Sequence, residues 1–177
     1  MTSSGFQQYS RYVEGLNDMS LALEKVLIPA TGHPTHRSAE ETDPKLNIAV
    51  IFTSIECTLA ALKRAGALAS SLGARITLLA PQVVPYPLPL QSPPVLLDWN
   101  ERRFRVIANE SPVETTVRLY LCRDSVETLI GVLSPKSVVV IGGRKRWWPF
   151  TREKRLARKL RRAGHEVILR KRCERHA

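Results

Sequence analysis

The chain has 177 residues, 44% hydrophobic and 24% charged, with a formal net charge of +11, enough for one ordinary domain with tails and thin for two. That composition excludes wholesale disorder and a collagen-like repeat. No window reaches the roughly 18–20 uncharged apolar residues of a membrane span, and the stretch MTSSGFQQYSRYVEG has no basic start followed by an apolar core, so no secretory signal is expected.

Three cysteines, Cys57, Cys122 and Cys173, form no CxxC pair and cannot all be bridged within one chain. They read as free thiols in a reducing cytoplasm. The charge is unevenly placed. From Arg144 to Ala177 lie 14 of the 27 Lys and Arg but only three of the 16 Asp and Glu, so residues 1–143 carry 13 of each. The whole excess sits at the C-terminal end, which points to a local anionic partner or to a solubilising basic face.

Residues 1–44 read as a flexible N-terminal extension. Phe6, Tyr9, Val13 and Leu16 fall at helical spacing and predict a short amphipathic helix. An apolar stretch from Leu21 to Ile28 stops at Pro29. TGHPTHRSAEETDP then reads as a linker. It holds His33 and His36, which have no nearby Cys or Asp and are a weak metal signal.

From residue 45 the pattern is regular. Asn47–Phe52 (NIAVIF) is a continuous apolar run suited to a strand buried on both faces. Thr53 and Glu56 have the spacing of a capping box that opens a helix. Leu59, Leu62, Gly66, Ala69 and Leu72 line one face of it, and Gly73 ends it. Arg75–Ala80 is the next strand. Pro81 to Pro94 holds six of the twelve prolines and is expected as an extended surface connection, neither helix nor central strand.

Leu96, Leu97, Phe104 and Ile107 then predict a modest helix. Alternation through Val113, Thr115, Val117, Leu119 and Leu121 predicts a strand. Asp124 and Glu127 cap a helix that runs to Ser134-Pro135. Ser137–Ile141 (SVVVI) is a strand ending in Gly142-Gly143. Thr151 caps a last helix reaching Ala163, Gly164 closes it, and Glu166–Leu169 is the final strand. Five strands alternating with four helices predict a single three-layer α/β/α domain around a five-stranded parallel sheet, spanning residues 45–171 and followed by a basic tail, 172–177.

Three passages carry a resemblance. NIAVIFTSIECTLAALKRAGALASSLGARITLLAP resembles the opening strand, helix and second strand of the universal stress protein family. RDSVETLIGVLSPKSVVVIGG resembles its third helix and fourth strand, and RLARKLRRAGHEVIL its last helix and strand. The resemblance covers about 120 of the 177 residues and implies a Rossmann-like fold. Nucleotide-binding members place an Asp near the end of the first strand. They also carry a loop of G, two residues, G, nine residues, then G with Ser or Thr. Here the Asp position falls at about Thr53. Gly142 matches the first glycine and Lys145 occupies the second. Glu153 and Lys154 stand near the last, or Thr151 if the loop is shortened.

The resemblance thus implies a regulatory, stress-response protein that binds an adenine nucleotide (ATP or AMP) or another phosphate ligand without catalysis. Thr53, Ser54, Gly142, Gly143, Arg144, Lys145, Arg146 and Thr151 would line the site. Backbone donors, a helix N-terminus and three cations favour a phosphate there. Many family members dimerise, and an exposed final strand would permit a homodimer.

The alternative is a binding module for nucleic acid or anionic membrane, acting through a basic surface of Arg152, Arg155, Arg158, Lys159 and Arg162. Trp147-Trp148-Pro149-Phe150 reads either as aromatics covering the sheet end or as an exposed aromatic–cationic patch. No GxSxG, HExxH, GxxxxGK[ST] or SGGxDS motif is present, so no enzyme activity is expected. Cys57 starts a helix, where the dipole lowers a thiol pKa. With no histidine base identified it reads as a buried structural cysteine.

Overall fold

The computed structural model describes residues 6–14, 21–29, 46–95, 97–143 and 151–170. Eleven elements follow in order: β1 (Phe6–Glu14), β2 (Leu21–Pro29), β3 (Asn47–Ile51), α1 (Ile55–Leu72), β4 (Arg75–Val83), α2 (Leu97–Asn109), β5 (Thr115–Cys122), α3 (Ser125–Val132), β6 (Val138–Gly142), α4 (Arg152–Arg162) and β7 (Glu166–Arg170). The strands form one sheet in the order β1-β2-β5-β4-β3-β6-β7. The five strands from β3 onward are mutually parallel, as the alternation with helices predicts. The fold is therefore the expected α/β type, with two antiparallel strands added at one edge.

Alternation along each strand divides the core into two layers. Ile48 and Val50 of β3, with Ile76 and Leu78 of β4, face α1 and α2, where Ala61, Leu62, Ala65, Phe104 and Ile107 meet them. Ala49 and Ile51 face the other way with Leu79, Val139 and Ile141, under Leu129 of α3 and Ala157 and Leu160 of α4. An apolar residue at every position of IAVI (48–51) and VVVI (138–141) is what a strand covered on both faces needs.

The helix ends match their sequence signals with one shift. The α1 cap is Ser54, whose hydroxyl accepts from the Cys57 N–H at 3.4 Å; Thr53, one residue earlier, is released for another contact. Gly73 closes the helix at φ 63°, a left-handed conformation that only glycine adopts without strain. Asp124 caps α3 by accepting from the N–H groups of Val126 and Glu127, and Thr151 caps α4.

The N-terminal extension expected over residues 1–44 is corrected by β1 and β2. The helix predicted from Phe6 to Leu16 gives way to a strand over 6–14. Phe6, Tyr9, Tyr12 and Val13 are strand formers, and β2 is the hydrogen-bonding partner, from Phe6↔Pro29 to Glu14↔Leu21, that the periodicity of residues 6–16 alone cannot display. β2 pairs with β5 from Leu23↔Leu121 to Leu27↔Val117. The expected linker with His33 and His36 lies outside the described residues.

Charges fix the hairpin on both faces of the sheet. Glu24, fully buried, accepts from the Tyr120 hydroxyl at 2.9 Å and from Arg118 Nη1 at 3.3 Å. Burial, and then the Glu24 charge, push the Tyr120 phenol well above its usual range. Lys25, on the opposite face, pairs with Glu101 of α2. A buried carboxylate is tolerated only where such donors answer it.

The proline-rich stretch also departs from expectation, because β4 continues through Pro81 to Val83. The Phe52 N–H donates to the Leu79 carbonyl at the end of β3. Pro81 faces the same flank two residues on, past the last residue of β3, so its missing N–H costs no ladder bond. Beyond it Arg123 clamps the loop. Its guanidinium donates to the carbonyls of Val84 (2.7 Å) and Leu88 (2.8 Å) and lies 4.1 Å from the centre of the Tyr86 ring.

The reading of three free thiols is corrected too. Cys57 is buried in the first turn of α1 and is disulfide-bonded. An odd cysteine count forbids bridging all three but not two, and the absence of CxxC says nothing of pairs distant in sequence. With this falls the sequence argument for a reducing compartment. Cys122 is a free thiol, buried at the end of β5, and burial raises its pKa. A raised value keeps the proton on in the folded state. The resulting stability is present below the ordinary thiol pKa of 9.0 and is lost as pH rises through the folded value. In an aromatic-disulfide thiol assay near neutral pH, Cys122→Ser should leave the native count unchanged and lower the denatured count by one. A native count that falls by one would show Cys122 to be accessible.

Candidate functional site

The C-terminal ends of the parallel strands converge where β3 and β6 lie side by side. The chain runs from β3 to β4 on one side and from β6 to β7 on the other. Such a reversal opens a crevice at the strand ends. Three residues shape its floor. The Thr53 hydroxyl donates to the Gly142 carbonyl at 2.9 Å, and the Thr53 N–H donates to the Thr58 hydroxyl at 3.2 Å. The loop after β3 is thereby tied to the end of β6. Gly142 packs against the first turn of α1 so closely that a Cβ would lie 1.9 Å from the Cys57 carbonyl oxygen. Glycine is required there for room.

Beside this tie is a cavity of about 580 Å³, within the range of small-molecule sites. Its apolar wall is made by Ile51 and Phe52 of the β3 end, Pro81 and Val83 of β4, and Val126 and Leu129 of α3. Thr53 and Ser125 add hydroxyls at the rim. The facing wall is α4: Arg152, Arg155 and Lys159 with Glu153 and Leu156. Three cations against one carboxylate make that wall positive. Phe52 is held from behind, edge-on to Phe104 at 5.0 Å between ring centres, with the Arg103 guanidinium 5.2 Å from its own.

Of the residues singled out from sequence, Thr53, Arg152, Arg155 and Lys159 line this cavity. Ser54 and Thr151 stand at its margins with their hydroxyls engaged as helix caps, Thr151 accepting from the Lys154 N–H at 3.3 Å. Gly142 holds the β3–β6 tie. The Gly143 N–H donates to the Arg170 carbonyl of β7 at 2.9 Å. Arg158 and Arg162 are exposed on α4 away from the cavity. Arg144, Lys145, Arg146 and Trp147-Trp148-Pro149-Phe150 lie outside the described residues.

Sequence reasoning missed Phe52, Val83, Val126 and Leu129 as site residues. Phe52, Val126 and Leu129 read as ordinary core positions and Val83 as part of the proline-rich surface connection, and only the strand order brings them together. Among the described residues no cluster of His, Cys, Asp or Glu could hold a metal ion, and no helix is long and apolar enough to cross a membrane.

No family model matches the chain, and none of the curated proteins matches it. Among solved structures it is similar to a protein of the universal stress protein family from Burkholderia pseudomallei. The identity is 21%, over 73% of this chain and 98% of that one, with a TM-score of 0.47. The α/β assignment stands on the strand pairing described above.

Proposed function

We propose that the chain is a non-catalytic regulatory protein of universal-stress-protein type, which holds an adenine nucleotide or a similar phosphate ligand in the cavity between β3, β4, α3 and α4. The observation that carries this reading is the cavity's two-sided chemistry. An apolar wall of Phe52, Val83 and Leu129 suits a flat ring, and Arg152, Arg155 and Lys159 face it to receive phosphate. Its place at the C-terminal strand ends is where open α/β sheets take ligands. Thr53 stands at the position where the family's nucleotide-binding members place an Asp; its hydroxyl proton goes to the Gly142 carbonyl, and its oxygen can still accept from a ligand. β7 pairs only with β6 among the described strands, and its outer edge is the surface for a homodimer in this reading.

The test is calorimetric titration of nucleotide-stripped protein with Mg-ATP near physiological salt, repeated with Arg155→Ala. One saturable site is expected, weakened about tenfold by losing a charge-assisted contact worth roughly 1.4 kcal/mol. Absence of saturable heat up to millimolar ATP would overturn the reading.

A further inference from the structure

Five cations of α4 form no ion pair among the described residues. Ala157 and Leu160 are buried against the sheet and Leu156 is half-buried, so its apolar stripe is used up by packing. The five, Arg152, Arg155, Arg158, Lys159 and Arg162, are exposed. Arg152, Arg155, Lys159 and Arg162 recur at spacings that place them in one row along a helix, with Arg158 beside them. The row is roughly 15 Å long. Its like-charge neighbours four residues apart, Arg155/Lys159 and Arg158/Arg162, repel one another, and a polyanion would relieve that repulsion.

The surroundings choose among polyanions. A helix that lies in a membrane interface inserts an apolar face, and α4 has already given that face to the sheet. Unpaired bases need aromatic platforms; the row on α4 carries none, and Trp147, Trp148 and Phe150, which precede α4 in sequence, lie outside the described residues. What it offers is a straight row of cations, suited to the dense, regular charge of a duplex backbone, about one charge per 1.7 Å of axis.

We propose that the outer face of α4 docks on the phosphate backbone of double-stranded nucleic acid without reading its sequence, and that a phosphate ligand in the cavity opposes this docking. The opposition rests on the ligand-binding reading above. Arg152, Arg155 and Lys159 both line the cavity and stand on the exposed row, so a cation turned to the ligand is withdrawn from the backbone. Arg158 and Arg162 belong to the row alone.

The test uses the full chain and a labelled mixed-sequence DNA duplex of about 20 base pairs, followed by fluorescence anisotropy across a salt series. Binding at low salt is expected, with log affinity falling linearly against log salt. The double variant Arg158→Gln/Arg162→Gln should weaken binding about tenfold and reduce the slope by about two, with unchanged melting temperature and unchanged ATP heats. Saturating Mg-ATP, at matched ionic strength, should weaken duplex binding of the parent at least about tenfold.

No duplex binding at low salt, or a double variant that binds like the parent, would overturn the docking face. Tighter binding to phosphatidylserine vesicles than to duplex would overturn the choice of nucleic acid. Undiminished duplex binding in a protein whose calorimetry shows bound ATP would overturn the opposition alone. Duplex binding with no ATP heat would uphold the docking face while overturning the cavity reading and the opposition together.

Discussion

Gly142→Ala should destabilise the protein by about 3 kcal/mol, the upper part of the usual range for overpacking, lowering the melting temperature by roughly 6–12 °C. The new Cβ would lie 1.9 Å from the Cys57 carbonyl oxygen and 2.5 Å from its carbon. Both are backbone atoms of a helix turn, which cannot rotate aside as a side chain would. The strain can be relieved only by parting β6 from α1, which would also pull on the Thr53–Gly142 hydrogen bond. The adjacent residue is the control. A Cβ on Gly143 meets nothing nearer than 3.6 Å, so Gly143→Ala should stay within about 0.5 kcal/mol of the parent. Equal melting temperatures for the two variants would sink the close-packing argument.

Removing residues 1–29 should cost the protein its stable, monodisperse form. The truncation uncovers the edge of β5 along the five paired positions from Leu23↔Leu121 to Leu27↔Val117. It also takes Leu27 from the core and leaves Glu101 without Lys25, and Tyr120 without Glu24. An uncovered apolar edge strand is a template for association. Size-exclusion chromatography should show aggregates, and thermal melting a transition shifted down by more than 10 °C, given that Leu27→Ala alone is worth about 2–5 kcal/mol. A truncated chain that elutes as the parent does, with an unchanged melt, would restore the view of this segment as an appendage.

The parallel part of the fold was legible because each element there announces itself locally. NIAVIF and SVVVI are apolar at consecutive positions, as strands between two helical layers must be, and Asp124, Thr151 and Gly73 mark helix ends by their own chemistry. The hairpin was not legible, because β1 pairs with β2 and β2 in turn docks on the β5 edge, which nothing near Phe6 in sequence displays. The Glu24–Tyr120 hydrogen bond joins residues 96 apart. Pro81 misled for a related reason: a proline is tolerated in a central strand once a neighbour stops short, and strand lengths are set by pairing.

The site divides the same way. Cations on α4 could be picked from the sequence, but as a basic surface for nucleic acid or membrane; Arg152, Arg155 and Lys159 of that surface line the cavity, and of the residues expected to bind a nucleotide only Thr53, among the described ones, does so. The apolar wall could not be picked, since Val83, Val126 and Leu129 become neighbours only when the sheet is ordered. Thr151 was read both as a helix cap and as a ligand residue and Ser54 only as a ligand residue, and capping is where the geometry spends both hydroxyls.

The route of the chain through the sheet also fixes when its parts can assemble. During synthesis β1 and β2 emerge first, yet the strand they pair with lies beyond α2, so the hairpin is made long before its berth exists. A two-stranded ribbon by itself is marginal in water. It must wait while β3, β4 and β5 gather around α1, and closing that long loop costs entropy before any contact rewards it. The earliest made of these strands are thus the last to dock on their edge of the sheet. Until they do, the nascent chain exposes the β5 edge to any neighbour on the same message.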